Sequence, residues 1–378
     1  MLSCVAAIAI TLGVGSAVPA VASPAGARPS TASAAPAADR ADLRRALDAV
    51  VAGGATSAIA RVRDEHGEWS AASGVGDRRT GRPADPNGRF RVGSVTKTFV
   101  STVLLQLVGE HRLGLDDSIE RWLPGLLPNG QGITVRQILG HTSGIYNFTD
   151  DAWTAEWVKN LFRHYEPRDL IAYAVSHPPL FPPGTGWSYS NTNYLVAGLL
   201  AERVTGHPLR QELQARLFGP LRLAHTSYPG DFPLILGPNN RGYEQLAPTG
   251  PAADVTELNP SPAGSAGAIV SDTEDLSRFY AALLDGHLLP PDQLAQMETM
   301  RDTGNAGIPR YGLGLASPNL RCGLRAFGHD GGIPGYSTVT LRSADGARQI
   351  VISISGPTSD AVYAAAAGLV DAAMCPSA

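Results

Sequence analysis

Lysine is almost absent from this chain of 378 residues: Lys97 and Lys159 stand against twenty-eight arginines. Where arginine carries nearly every ordinary positive charge, a retained lysine suggests work that guanidinium cannot do, and losing a proton at ordinary pH is such work. A basic block is also missing. The formal net charge is -4 with arginines dispersed along the chain, which leaves no electrostatic footprint for nucleic acid or for an anionic membrane surface. Cysteine is scarce, at three residues, and the nine histidines show no H-x-x-x-H or Cys/His spacing. No metal and no cofactor is therefore expected. No apolar run reaches the roughly 20 residues that a membrane span needs, because Gly13, Gly15, Ser16 and Pro19 interrupt the first one. No repeat of fixed period is visible either.

Hydrophobic residues make up 43% of the chain, and its length gives room for about two domains around a packed core. Residues 2–21 are rich in Ala, Val, Ile and Leu and end in Ala20-Val21-Ala22. This reads as the apolar region and small-residue cleavage site of a signal peptide over 1–22, so a secreted, extracellular protein is expected. No Lys or Arg precedes the apolar run, which points to a start further upstream. Residues 23–38 are an Ala/Pro/Ser segment with almost no bulky side chain, expected to be a disordered leader. Cys4 would leave with the signal, and the remaining even pair, Cys322 and Cys375, is expected to be bridged in an oxidising compartment. Closing that loop is worth about 4 kcal/mol on the chain-entropy model.

Leu43, Ala46, Leu47, Val50 and Val51 fall at helical spacing over 42–52, before Gly53-Gly54. Residues 57–63 and 69–75 read as a hairpin, and 90–92 as a short strand feeding into Ser94. A buried helix is expected over 96–110. From 115 to 262 the pattern is helical with many Pro and Gly interruptions, with helices expected at 135–139, 168–175, 192–205 and 208–218. Strands return at 325–329, 337–341 and 349–355, and an Ala-rich helix closes the chain over 360–374. The expected organisation is an α/β domain from 39–114 and 263–378, with a mostly helical domain, 115–262, inserted between its halves.

Lys97 lies three residues after Ser94 in Phe90-Arg91-Val92-Gly93-Ser94-Val95-Thr96-Lys97. An amine one helical turn from a hydroxyl puts a base beside a nucleophile. Three more motifs follow: Leu139-Gly140-His141-Thr142-Ser143-Gly144, then Tyr189-Ser190-Asn191 just before a helix, then His329-Asp330-Gly331-Gly332 ending a strand. In that order the chain resembles the penicillin-recognising serine hydrolases, above all the secreted D-alanyl-D-alanine carboxypeptidases that share a fold with class C β-lactamases. The likeness runs from about residue 43 to 375 and takes in Tyr311-Gly312-Leu313-Gly314-Leu315. It implies an α+β fold of the β-lactamase/transpeptidase type, an antiparallel sheet flanked by helices with an inserted helical domain.

Ser94 is a weak nucleophile until its proton is taken. Lys97 can take it if burial brings its pKa from roughly 10.4 toward 7, a cost of about 4.6 kcal/mol. Tyr189, beside the lysine cation, is the other candidate base and a donor for the leaving group; the sequence leaves both open. The resemblance implies that Asn191 binds a substrate carbonyl and that His329 lines the opposite wall and helps hold Tyr189. The oxyanion hole is expected from the backbone N–H groups of Ser94 and of Gly332, just past the strand. Gly331 and Asp330 border the substrate, and Trp153 falls where the carboxypeptidases place an aromatic beside it. His141 and Ser143 read as structural, and Trp157 as one helix face packed on the core.

Two features depart from the family pattern. Asp330 stands where threonine usually helps hold a substrate carboxylate, and Ala316 stands where a basic residue commonly follows the Tyr-Gly-Leu-Gly-Leu strand. The expected activity is D-alanyl-D-alanine carboxypeptidase action on peptidoglycan stem peptides through a Ser94 acyl-enzyme, with β-lactams as covalent inhibitors and a monomer as the working unit. The alternatives are a β-lactamase-like or esterase-type hydrolase on another small acyl substrate, and a non-catalytic cell-wall-binding protein.

Overall fold

The computed structural model describes residues 40–150, 153–246 and 250–375, and of residues 153–155 the backbone alone. The expected signal peptide and leader lie outside the described residues.

Leu43, Leu47 and Val50 form the buried stripe of α1 (Ala41–Ala52), the three-and-four spacing of an amphipathic helix. The hairpin β1 (Ser57–Asp64) and β2 (Gly67–Asp77) follows, then β3 (Arg82–Pro83) and β4 (Phe90–Arg91). A single 3-10 turn, Gly93–Val95, leads into α2 (Thr96–Gly109). The next stretch carries α3 (Ile119–Trp122), α4 (Val135–Leu139), α5 (Trp153–Lys159), α6 (Pro167–Val175), α7 (Asn191–Thr205) and α8 (Leu209–Leu213), then the paired strands β5 (Tyr243–Glu244) and β6 (Ala253–Asp254). After α9 (Gly264–Gly267) and β7 (Val270–Ser271) come α10 (Thr273–Leu284), α11 (Pro291–Glu298), β8 (Arg301–Asp302), β9 (Arg310–Tyr311) and β10 (Ala316–Ser317). The chain closes with β11 (Ala326–Ile333), β12 (Tyr336–Ser343), β13 (Gln349–Ser355) and α12 (Asp360–Met374).

Nine strands form one antiparallel sheet in the order β3-β2-β1-β13-β12-β11-β10-β9-β8. Its centre joins the two ends of the chain, β1 lying against β13 from Ser57↔Ser355 to Arg63↔Gln349. Ala58, Ala60, Val62, Ile350, Ile352 and Ile354 face α1 and α12, while Ile59 and Val351 join the larger core around α2. Because both faces are covered, β13 is buried along its whole length, its polar Gln349, Ser353 and Ser355 included. The strand expected at 90–92 stands outside this sheet: β4 pairs only with β7.

Helix α2 is buried on almost every side, its polar Thr96, Lys97, Thr98, Ser101 and Thr102 included. It packs in one contiguous core with Val135, Ile138, Leu170 and Tyr194 from the helical stretch and with Phe279 and Val351 from the sheet side. Cys322 and Cys375 are joined by a disulfide, Cα atoms 5.6 Å apart, which ties the loop before β11 to the end of α12. Among the described residues no helix is long and apolar enough to cross a membrane.

Candidate active site

Ser94 sits in the turn before α2 at the bottom of a cleft between the edge of β11 and the helical stretch. Thr149, Trp157, Asn191, Glu244, Ala266, Gly332 and Tyr336 are among its lining residues. The turn is shaped by glycine. Gly93 has φ +54°, and a Cβ there would lie 2.8 Å from the nitrogen and the oxygen of Gly332. On the facing strand, a Cβ on Gly331 would lie 2.0 Å from the Val92 oxygen and 2.9 Å from the Ser94 nitrogen. These missing side chains let the nucleophile's turn and β11 touch backbone to backbone, bringing the Gly332 amide close to that of Ser94. Strand β11 continues to Ile333, so Gly332 lies within the strand and not past its end.

Lys97 is fully buried one helical turn on. Its Nζ lies 2.9 Å from Ser94 Oγ, 2.7 Å from Asn191 Oδ1 and 2.8 Å from the Ala266 carbonyl of α9. A neutral amine has two hydrogens and one lone pair. The amide oxygen and the carbonyl can only accept, so they take both hydrogens and leave the lone pair facing the serine hydroxyl. Burial drives the amine well below its ordinary pKa of 10.5, a shift the Asp330 charge partly opposes. Tyr189 shares a hydrogen bond with Ser94, yet burial raises its phenol well above 10. Burial therefore favours a protonated phenol and a neutral amine in the resting site.

Asn191, the first residue of α7, is held from several directions. Its backbone N–H donates to Asn147 Oδ1 at 2.8 Å and its Nδ2 donates to Thr149 Oγ1 at 2.9 Å, while its Oδ1 faces Lys97. The second hydrogen of Nδ2 is available to a ligand in the cleft that Asn191 lines.

His329 is buried on β11. Its Nδ1–H donates to the Asp330 carbonyl, and its Nε2 accepts from Tyr311 Oη at 2.9 Å. The imidazole also stands in ring contact with Tyr189, centroids 6.3 Å apart, so it holds Tyr311 by a hydrogen bond and borders Tyr189. Burial brings its pKa down to about 4, so it is neutral at ordinary pH. Asp330 departs from the role expected of it. Strand alternation buries His329 with a side chain 1% exposed and leaves that of Asp330 64% exposed. Asp330 lines a neighbouring groove with Pro309, Arg321 and Tyr363 and does not line the Ser94 cleft. Trp153 opens α5, and its side chain lies outside what the structure describes. Trp157, read from sequence as a core residue, is both buried and part of the cleft wall.

Sequence reasoning missed Tyr311, Thr149, Glu244 and the Ala266 carbonyl. Tyr311 ends β9 at the start of the Tyr311-Gly312-Leu313-Gly314-Leu315 run, and only its pairing with His329 marks it. Glu244 carried no motif. Its Oε2 accepts the N–H of Gly335 at 2.9 Å, and it is the one charged side chain among the described residues lining the cleft.

A protein-family model described as Beta-lactamase matches residues 43–373. The crystal structure of a D-stereospecific amidohydrolase from Streptomyces sp. superposes with a TM-score of 0.83 at 39% identity, covering 90% of this chain and 99% of that one. The D-amino acid amidase of Ochrobactrum anthropi SV3 follows with a TM-score of 0.79 at 26% identity, covering 88% of this chain and 98% of that one. Penicillin-binding protein 4* of Bacillus subtilis is 26% identical over 303 residues, 75% of this chain and 64% of that protein. The chain thus spans less than two thirds of the length of that curated relative but nearly all of the two solved enzymes. The match runs from the opening helix to the closing one, over a sheet whose edge meets a serine with its own buried amine, and on that ground the chain belongs to the beta-lactamase family of serine hydrolases.

Proposed function

We propose that this chain hydrolyses the amide bond of D-aminoacyl substrates that carry a free ammonium group, by acyl transfer through Ser94. The observation that carries the substrate side is the charge of the cleft: Glu244 is its only charged lining residue among those described, and no Lys or Arg lines it to meet a terminal carboxylate. A carboxylate there favours a cationic substrate and disfavours an anionic one. The amidohydrolase and amidase that cover nearly the same length support the D-configured amide.

In the first step the Ser94 proton passes to the Lys97 lone pair as Oγ attacks the carbonyl, and the backbone N–H groups of Ser94 and Gly332 receive the negative charge. Tyr189 protonates the departing nitrogen. Its phenolate, with Lys97 Nζ 4.8 Å from the ring centroid, is stabilised by the new ammonium and recovers the proton. Water repeats the sequence on the acyl-enzyme. Asp330, which holds the amine's pKa up, sets the working range from outside the cleft. Asp330→Asn therefore makes Lys97 easier to deprotonate, and the acid limb of the pH–kcat/KM profile is expected to move to lower pH. An unmoved limb would show that this charge does not reach the base.

The test compares D-phenylalanine amide, its N-acetyl derivative and an N-acyl-D-alanyl-D-alanine peptide. The free amide is expected to lead, with N-acetylation or Glu244→Gln each costing about ten- to a hundredfold, the worth of a hydrogen bond to a charged group. Faster turnover of the D-alanyl-D-alanine peptide would overturn the reading. That second reading, a D-alanyl-D-alanine carboxypeptidase acting on peptidoglycan, is favoured by the penicillin-binding relative. Mass spectrometry after exposure to a labelled penicillin probes it, through an adduct on Ser94 and the rate of its release. A secreted setting is part of the proposal, supported by the disulfide, which oxidising compartments favour.

A further inference from the structure

We infer that His141, in the Gly140-His141-Thr142-Ser143 run, is a positioning residue that aims the Tyr189 hydroxyl at the leaving group. This inference rests on the serine-hydrolase reading above, with Tyr189 as the proton donor.

Helix α4 delivers the residue in a fixed place. A capping box locks its start, Thr134 accepting the Gln137 N–H and Gln137 Oε1 accepting the Thr134 N–H, and Gly140 caps its end. His141 follows with φ +59°, a left-handed backbone that a non-glycine residue adopts rarely and at a cost. From there it grips both sides of Tyr189. Its carbonyl accepts the Ser188 N–H at 3.0 Å, and its Nδ1 accepts the Ser190 N–H and Asn193 Nδ2, each at 3.2 Å. Its ring packs on the Tyr189 ring at a centroid distance of 4.3 Å, inside a cage completed by Trp187, Tyr194 and Tyr311.

Because Nδ1 accepts twice, the ring proton resides on Nε2. That N–H is buried without a hydrogen-bond partner among the described residues. Burial holds the imidazole well below 6.5 and so neutral. A residue serving packing alone would carry neither the strained backbone nor the orphaned donor, since a phenylalanine ring fills such a cage without the latter. What the imidazole adds is a fixed acceptor for Ser190 together with a rigid face against the phenol. Both act on the angle at which Tyr189 meets Ser94 and the group that leaves from it.

The role predicts a dependence on the leaving group. An amine cannot depart without a proton, whereas a p-nitrophenolate can. In His141→Asn, which tolerates the left-handed backbone and keeps an acceptor near Nδ1, kcat on a D-phenylalanine amide is expected to fall about a hundredfold. Turnover of the matching p-nitrophenyl ester is expected to stay within about threefold. Tyr189→Phe is expected to show the same selectivity, and His141→Asn/Tyr189→Phe to fall no further than Tyr189→Phe alone. His141→Gly, which also permits the backbone, serves as the second variant. Retained ester turnover would show Ser94 and Lys97 intact, so that the serine-hydrolase reading stands whatever becomes of the amide. Equal losses on amide and ester in both variants, or a double variant markedly worse than Tyr189→Phe, would overturn the inference and leave His141 a fold residue.

Discussion

Lys97→Met is expected to lower kcat/KM on every substrate by roughly 10³–10⁴, the range of a positioned general base, while the fold survives. The side chain is fully buried and its amine lies 2.9 Å from Ser94 Oγ. Methionine keeps the stem and removes the acceptor. Lys97→Arg should restore nothing, because guanidinium cannot give up its proton to serve as a base. The scarcity of lysine in the sequence predicts the same asymmetry. Ser94→Ala/Lys97→Met should be no slower than the worse single variant, since nucleophile and base act as one unit. Single-turnover acylation is the measurement, and loss confined to deacylation would move the base role elsewhere. Stability gives an independent readout. The folded pKa of Lys97 is depressed below 10.5, so between the two values the unfolded chain binds more protons than the native one. Stability then rises with pH across that window, and Lys97→Met should remove this slope.

The nucleophile, its amine and the facing tyrosine and asparagine were legible because each lies in a short motif whose spacing is local. Three residues on a helix fix Ser94 against Lys97, and two at a helix start fix Tyr189 against Asn191. The elements around them were legible for the same reason: the strand at 349–355 and the helix at 360–374 carry period and caps in a few residues, and both lie where the sequence put them. What escaped depends on contacts between distant segments. Tyr311, eighteen residues upstream, hydrogen-bonds His329 beside the expected contact of that ring with Tyr189, and no local pattern pairs the two. Asp330 was read as facing the substrate, yet the same alternation that buries His329 turns it toward the neighbouring groove. Glu244 enters the cleft through a hydrogen bond across ninety-one positions to Gly335, and no local pattern announces such a pairing.

Gly331→Ala is expected to cost about 10²–10³ in kcat, the value of an oxyanion-hole donor, and about 1–3 kcal/mol of stability from overpacking. Gly332→Ala, one residue on, is expected to keep kcat within a few-fold. The contrast follows from the two faces of β11. A methyl on Gly331 would need to occupy the space of the Val92 oxygen, 2.0 Å away, and would crowd the Ser94 nitrogen at 2.9 Å, both backbone atoms that cannot rotate aside. The strand must then retreat from the nucleophile's turn, carrying the Gly332 amide out of reach of the developing charge. A methyl on Gly332 meets nothing within 4 Å, and the substitution leaves its N–H in place. Thermal unfolding separates the packing cost from the catalytic one. Should the two variants lose kcat equally, the second donor lies elsewhere on the cleft. Should Gly331→Ala keep its rate, the close approach of β11 to Ser94 is not what forms the hole.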